Sequence, residues 1–509
     1  MRILEVRKAM KWKVWLLGVL GGSLFLSGCG NTTPLEETAN GSELTVDEIQ
    51  VGNYSAGISC HDPQILRDET GYYMTGSHQV IAKSEDLVSW DYVANGNKMF
   101  DNIFSGDLPA FSYVGKNEDN GYSIWASNFY YNKTMGKYLM YFCTTSSYIK
   151  SNLTLAVSDT PEGPYHYTDT FLYSGFGKTE LDKTNLPEVL GDDADYDKYF
   201  LYGGYDNKKW PNCIDPAIVE DKEGNIWMVY GSWSGGIFLL QIDPETGLPI
   251  HPEKDGENVD RYYGYHLVGG KHHAIEGPYL SYDPESDYYY LFLSFGNLQR
   301  EGGYQMREFR SKEITGPYVD AAGNTLDDQE DFFQYGLKMM GNYKLPSLKT
   351  AYMAPGGQSA LEDGKGHRFM SYHQRFDNSS EYHEPRVHEM FRTAEGWYVL
   401  APFEYNGEAA EVVEQKNLNG TWYYLNHETD ISSVIREAKE VTLDAGTIGG
   451  NVEGTFAQTK DGTVTLRIGE EEYTGVCIRQ KDEAGNQTRC ILACGTNNKT
   501  IWLVQYVSE

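Results

Sequence analysis

The chain has 509 residues, enough for two to four domains of ordinary size, which excludes a small disulfide-stapled scaffold. With 40% hydrophobic and 14% aromatic residues, 40 of them tyrosine, it carries material for a large core and is not a disordered chain. Its 42 Lys and Arg against 73 Asp and Glu give a formal charge of −31, which would repel a polyanion over most of the surface and makes nucleic acid the worst-matched partner.

The first feature in chain order is a basic start, Arg2, Arg7, Lys8, Lys11 and Lys13, merging into the apolar run 14–26. That run has the length of an export signal's hydrophobic stretch and is too short for a comfortable membrane span. It closes on Leu26-Ser27-Gly28-Cys29, similar to the bacterial lipobox, whose cysteine is lipidated and becomes the mature N-terminus. Residues 1–28 are therefore expected to be a lipoprotein signal, Cys29 the lipidated anchor holding an exported protein at the cell surface, and 29–49 a polar, flexible tether. Loss of residues 1–28, with five basic residues and one acidic, would take the formal charge from −31 to −35. The six remaining cysteines are an even number, which permits disulfides without fixing pairs. Cys143 lies in an apolar run and reads as a buried thiol, and no cysteines are grouped with histidine at zinc spacing.

From residue 62 a unit recurs: a polar anchor, a short apolar strand, a turn rich in Asp, Gly and Lys, then an aromatic strand. Its first copy runs from Asp62-Pro63-Gln64-Ile65-Leu66 through Asp68 to Gly71 into Tyr72-Tyr73-Met74. Four more are anchored at Asn128, Asp215, Glu276 and Gln358, 61 to 87 residues apart, the length of a four-stranded blade with variable loops. Such radially repeated antiparallel strands predict an all-β, five-bladed β-propeller over residues 50–405. After 405 the unit stops. Short strands separated by turns such as Lys460-Asp461-Gly462 predict a small C-terminal β-barrel or sandwich over 406–509, suited either to carbohydrate binding or to structural support.

In a propeller the innermost strands line a central channel, so anchors distant in sequence converge. An isolated Asp-Pro more often starts a turn, as at Asp243-Pro244 and Asp283-Pro284. Positional equivalence in the repeat is what singles out Asp62, Asp215 and Glu276 as acids of one funnel, and paired carboxylates are the usual equipment for glycoside hydrolysis.

The segments His61-Asp62-Pro63, Cys213-Ile214-Asp215-Pro216-Ala217 and Ala274-Ile275-Glu276-Gly277-Pro278-Tyr279 together resemble glycoside hydrolase family 43. With Gly231-Ser232-Trp233-Ser234-Gly235-Gly236, Tyr304-Gln305-Met306-Arg307 and His383-Glu384-Pro385-Arg386, the chain is similar to that family's larger endo-1,5-α-L-arabinanases over roughly residues 50–509. The resemblance implies inverting hydrolysis of arabinan or arabino-oligosaccharides, with Asp62 as general base, Glu276 as general acid and Asp215 tuning Glu276. It also implies a calcium ion near His373, held largely through waters, although an imidazole is an unusual ligand for so hard a cation. Trp125, Asn128, Trp233, Ser234 and Phe295 are the expected sugar-binding residues. Asn128 and Gly357-Gln358-Ser359 depart from the family pattern, which has Asp at the first position and Gly-His-Asn-Ser at the second. An exo-acting arabinofuranosidase or β-xylosidase and a non-catalytic glycan-binding lipoprotein are the alternatives.

Overall fold

The computed structural model describes residues 35–36, 42–95, 109–191, 194–414, 417–460 and 462–508. The expected signal and Cys29 lie outside the described residues. No described helix is long and apolar enough to cross a membrane.

Five antiparallel sheets succeed one another along the chain. Their first long strands are Gln64–Arg67, Ser123–Asn132, Ala217–Glu220, Ile275–Asp283 and Tyr352–Glu362. Sheets 1, 2 and 4 run in sequence order from that strand, and sheet 3 does so until Gly264–Val268 inserts before Val259–Asp260. In sheet 5, Tyr352–Glu362 also pairs with the short Tyr343–Lys344 on its other side. This is the five-bladed propeller that the repeat predicts. The blades stack because their middle strands are apolar on both faces, with side chains alternating between neighbours. In blade 2, Leu139, Tyr141 and Cys143 pack toward blade 3 while Met140 and Phe142 pack toward blade 1. In blade 4, Tyr289, Leu291 and Leu293 face blade 3 while Tyr290 and Phe292 face blade 5. The core is thus a set of clusters between blades, leaving the axis to polar groups. All six described cysteines are buried and none of them forms a disulfide.

Beyond the propeller, eight strands from Gly420–Asn426 to Thr500–Val507 close into a barrel, sealed by pairing of Glu471–Lys481 with Gln487–Gly495. Trp422, Leu443, Val464 and Leu503 fill its interior. One face merges with the propeller: Trp502, Val504, Tyr506 and Cys490 share a cluster with Met306, Met340, Tyr343 and Tyr372. The two domains have one continuous core between them.

Residues 42–56 are built into this body, which corrects the expected tether over 42–49; most of 29–41 lies outside the described residues. Leu44 N donates to Tyr506 O at 3.0 Å, Ile49 is buried, and Gly52 bridges Leu348. Ser55 Oγ and Ala56 N both donate to the Glu384 carboxylate at 3.0 Å, so this lead-in to blade 1 runs against blade 5. Leu35–Glu36 pairs with Val413–Glu414 beside the barrel. The polar composition that suggested a free linker supplies hydrogen-bonding partners for the edges it crosses.

Candidate active site

The innermost strands carry their acids on local distortions. A left-handed residue stands in or just before each one: Asp62 (φ 55°), Ala126 (39°), Asp215 (55°), Gly277 (56°) and Gly357 (60°). Strand register slips between Trp125 and Asn128, Glu276 and Tyr279, and Gly356 and Ser359. Bulges of this kind re-aim side chains, and a non-glycine residue at positive φ stores on the order of 1–3 kcal/mol. The distortion also revises the repeat: Asp62 and Asp215 occupy it, Glu276 precedes it by one residue, Gln358 follows by one and Asn128 by two.

Asp62 Oδ2 accepts a hydrogen bond from Ser77 Oγ at 2.6 Å and lies 2.7 Å from His61 Nδ1. Burial pushes its carboxyl up, but the His61 imidazole, the bonds from His61 and Ser77, and His383 together hold it below the usual carboxylate range. Asp62 therefore stays ionised, as a base must. Glu276 is set differently. Its Oε2 accepts from Trp233 Nε1 at 2.9 Å and Ser232 Oγ at 3.1 Å, and its Oε1 from the Tyr304 hydroxyl at 2.9 Å. Burial raises Glu276 and the Asp62 charge adds to it, outweighing the three donors. Asp215 Oδ2 accepts from Gly277 N at 3.1 Å, the amide next to Glu276. Burial and the charges of Glu276 and Asp62 raise Asp215 as well. Three carboxyl groups in one funnel cannot all ionise at low cost, so Asp215 and Glu276 titrate as a pair that keeps a proton beside an ionised Asp62.

Among the described residues, His61, Asp62 and His373 are the group close enough to share a cation. His373 is fully buried, stacks on His61 at 3.9 Å and on Tyr304 at 5.6 Å, and its Nε2 has no hydrogen-bond partner. Burial and the neighbouring His61 and Arg375 charges keep it neutral, the ligating form. Two imidazoles and one carboxylate are a nitrogen-rich set, whereas calcium takes six to eight oxygens. They fit calcium only as the minor part of a shell filled by water.

The expected sugar-binding residues divide. Trp125 is 40% exposed, and the amide of the next residue, Ala126, donates to the same Ser77 Oγ that holds Asp62. Trp233 is partly exposed, with its indole N–H committed to Glu276. Three others are corrected. Phe295 is fully buried between blades 3 and 4 against Phe309 and Phe332, with Arg307 over its ring at 4.6 Å. Asn128 is buried and spends its amide on neighbouring blades, donating to Gln64 Oε1 and accepting from Ile218 N. Ser234 is buried with its hydroxyl shut away from solvent.

Sequence reasoning missed Ser77, Ser232, Tyr304 and the exposed Tyr148, whose hydroxyl lies 3.1 Å from His272 Nε2 on the Trp233 side of the site. Ser232 and Tyr304 stood inside quoted motifs without an assigned role. Ser77 and Tyr148 carry no local signal.

Residues 198–398 match the family model for glycosyl hydrolases family 43, and residues 402–503 match its C-terminal lipocalin-like domain. The chain is 36% identical over 469 residues to an extracellular endo-α-(1→5)-L-arabinanase 2 of Bacillus subtilis (strain 168), covering 87% of this chain and 92% of the relative. It is also 36% identical to an extracellular endo-α-(1→5)-L-arabinanase of Thermotoga petrophila, over 82% of this chain and 88% of that one. The crystal structure of an endo-1,5-α-L-arabinanase from Thermotoga petrophila RKU-1 in complex with TRIS superposes with a TM-score of 0.77 at 33% identity, covering 90% of this chain and 100% of that one. On the strength of these matches across both domains, the chain belongs to glycosyl hydrolase family 43 and is a glycoside hydrolase.

Proposed function

We propose that the protein is an endo-arabinanase that cleaves internal α-1,5-L-arabinofuranosidic bonds of arabinan with inversion. The observation that carries the chemistry is the opposite setting of two carboxyl groups in one funnel, Asp62 held down and Glu276 held up. The names of the 36%-identical relatives support the substrate and the endo mode.

In this reading Asp62 takes a proton from water as the water oxygen attacks the anomeric carbon on the face opposite the leaving group. Glu276 gives its proton to the glycosidic oxygen as the carbon–oxygen bond breaks through an oxocarbenium-like transition state. Asp62 ends protonated and Glu276 anionic, and exchange with solvent resets both. Asp215, whose Oδ2 accepts from the Gly277 amide next to Glu276, fixes the backbone beside the acid and titrates with it as a pair. Trp125 and Tyr148 offer exposed ring faces to furanose units. A calcium ion ligated by His373 Nε2 and otherwise by water would supply a fixed positive charge next to the base. Export and anchoring through Cys29 complete the proposal, and the extracellular relatives support export. A Cys29→Ser chain is expected in the medium instead of the membrane fraction.

The deciding assay is product analysis on linear arabinan. Mixed oligosaccharides early in the reaction support endo cleavage, arabinose alone refutes it, and binding without products refutes catalysis. Glu276→Gln is expected to abolish turnover on linear arabinan, and a variant as fast as the parent overturns the assignment.

A further inference from the structure

Two neighbouring antiparallel strands of the barrel, Gly420–Asn426 and Lys439–Asp444, pair along their length, yet a long excursion, 427–438, connects them. A short hairpin would suffice, and loops of this length inside a compact domain are uncommon unless they have work elsewhere. This strap leaves the barrel and lies along blade 4.

Its contacts bracket one residue of the active site. Asp430 O accepts from Gln305 Nε2 at 3.0 Å and from the buried Lys338 Nζ at 2.9 Å. Thr429 O accepts from Arg307 Nη2, and Gln305 Oε1 accepts from the same guanidinium at 3.0 Å. On the other side, Gly303 approaches the strap so closely that an added Cβ would meet Ser432 N at 2.9 Å and Ile431 Cγ2 at 3.1 Å. The Ile431 methyl also stands 3.1 Å from the Cβ position of Gly296, which faces the Gly303 carbonyl. Further along, Arg436–Glu437 pairs with Tyr343–Lys344, and Ser433 O accepts from Asn342 Nδ2 at 3.0 Å.

Between Gly303 and Gln305 lies Tyr304, buried, with its hydroxyl on Glu276 Oε1 and its ring over His373. We propose that the strap, through Asp430 and Ile431, is a positioning element of the active site: it holds the Gly303 backbone on one side of Tyr304 and the Gln305 side chain on the other, and so fixes the hydroxyl that holds the acid. The barrel then contributes to turnover without touching substrate. This inference rests on the reading of Glu276 as general acid.

The test is a double-mutant cycle in the full-length chain with linear arabinan as substrate. Ile431→Ala is expected to lower kcat roughly fivefold while KM stays within about twofold of the parent, because the lost contact acts on the acid and not on the sugar. Ile431→Val should restore most of kcat. In a Tyr304→Phe background, Ile431→Ala should cost nothing further, since the hydroxyl it positions is gone. Val434→Ala, at an exposed position on the same strap, should match the parent. Parental kcat in Ile431→Ala, or a loss that adds fully to that of Tyr304→Phe, overturns the proposal. If the Ala chain is not recovered folded, Ile431→Leu, which lacks the β-branched methyl that approaches Gly296 and Gly303, replaces it under the same criteria. A parent inactive on arabinan, or an undiminished Glu276→Gln, refutes the functional reading and this inference with it. An active parent with a dead Glu276→Gln and an additive Ile431→Ala refutes the strap alone.

Discussion

Trp233→Phe isolates one donor to the acid while keeping an aromatic ring in place. The indole N–H reaches Glu276 Oε2 at 2.9 Å and stabilises the carboxylate over the protonated form. Hydrogen bonds to charged groups contribute about 1.5–3 kcal/mol. Ser232 and Tyr304 remain on the same carboxyl group and the site is partly exposed, so the low end applies, about 1.5 kcal/mol. At about 1.4 kcal/mol per pKa unit, Glu276 should rise by roughly one unit. A general acid works only while protonated, so kcat/KM falls as pH rises through this pKa. Raising it moves the basic limb to higher pH by roughly one unit, while the acidic limb, set by Asp62 and its own partners His61 and Ser77, stays in place. The assay is kcat/KM for linear arabinan across both limbs, which reports the free enzyme and, here, the Asp215–Glu276 pair. A basic limb that stays put or moves to lower pH refutes the assignment of Trp233 as a donor to the acid.

Gly357→Ala places a methyl 2.2 Å from Asp62 Oδ1 and 2.9 Å from His373 Nδ1 at a residue with φ 60°. It should reduce kcat by more than about a hundredfold through displacement of the base, with a stability loss of only about 1–3 kcal/mol by thermal unfolding; a near-parental rate would show that the funnel tolerates the shift. Removal of residues 406–509 strips Trp502, Val504 and Tyr506 from the shared core and should yield insoluble protein, whereas a soluble, folded propeller would contradict that core. Trp502→Ala alone should cost about 3–5 kcal/mol in denaturant unfolding, because the ring is fully buried against Tyr343 and His427. His373→Ala should lower the calcium retained after gel filtration to background, measured by atomic emission, and equal calcium in parent and variant would remove His373 from the ion's shell.

The architecture was legible because the unit repeats: apolar alternation marks the blades, and Asp62, Asp215 and Glu276 sit where innermost strands begin. The exact equivalence of the anchors was not legible, because a bulge adds a residue on one strand without any compositional mark, and Asn128 fell two positions beyond its distortion. Phe295 shows the reverse. It shares the parity of Tyr289, Leu291 and Leu293, so strict alternation from those residues assigns it to the core between blades 3 and 4. The lead-in at 42–56 and the strap at 427–438 are polar and aperiodic. Their structure comes from edges far away in sequence, which no local pattern can report.

The base and its buried imidazole belong to opposite ends of the propeller. Asp62 N meets His373 Nδ1 across 311 residues, at the seam where blade 1 packs on blade 5. Glu276, by contrast, gathers Ser232, Trp233 and Tyr304 from within 44 residues of itself. A chain that has assembled blades 3 and 4 already brings the acid's three donors to Glu276, but the Asp62 charge that helps raise it and the activation of water both wait for an entropically demanding contact, the circle closing on its first blade. Turnover is therefore a report that the whole ring has been completed, and an incompletely folded molecule is silent toward its polymer.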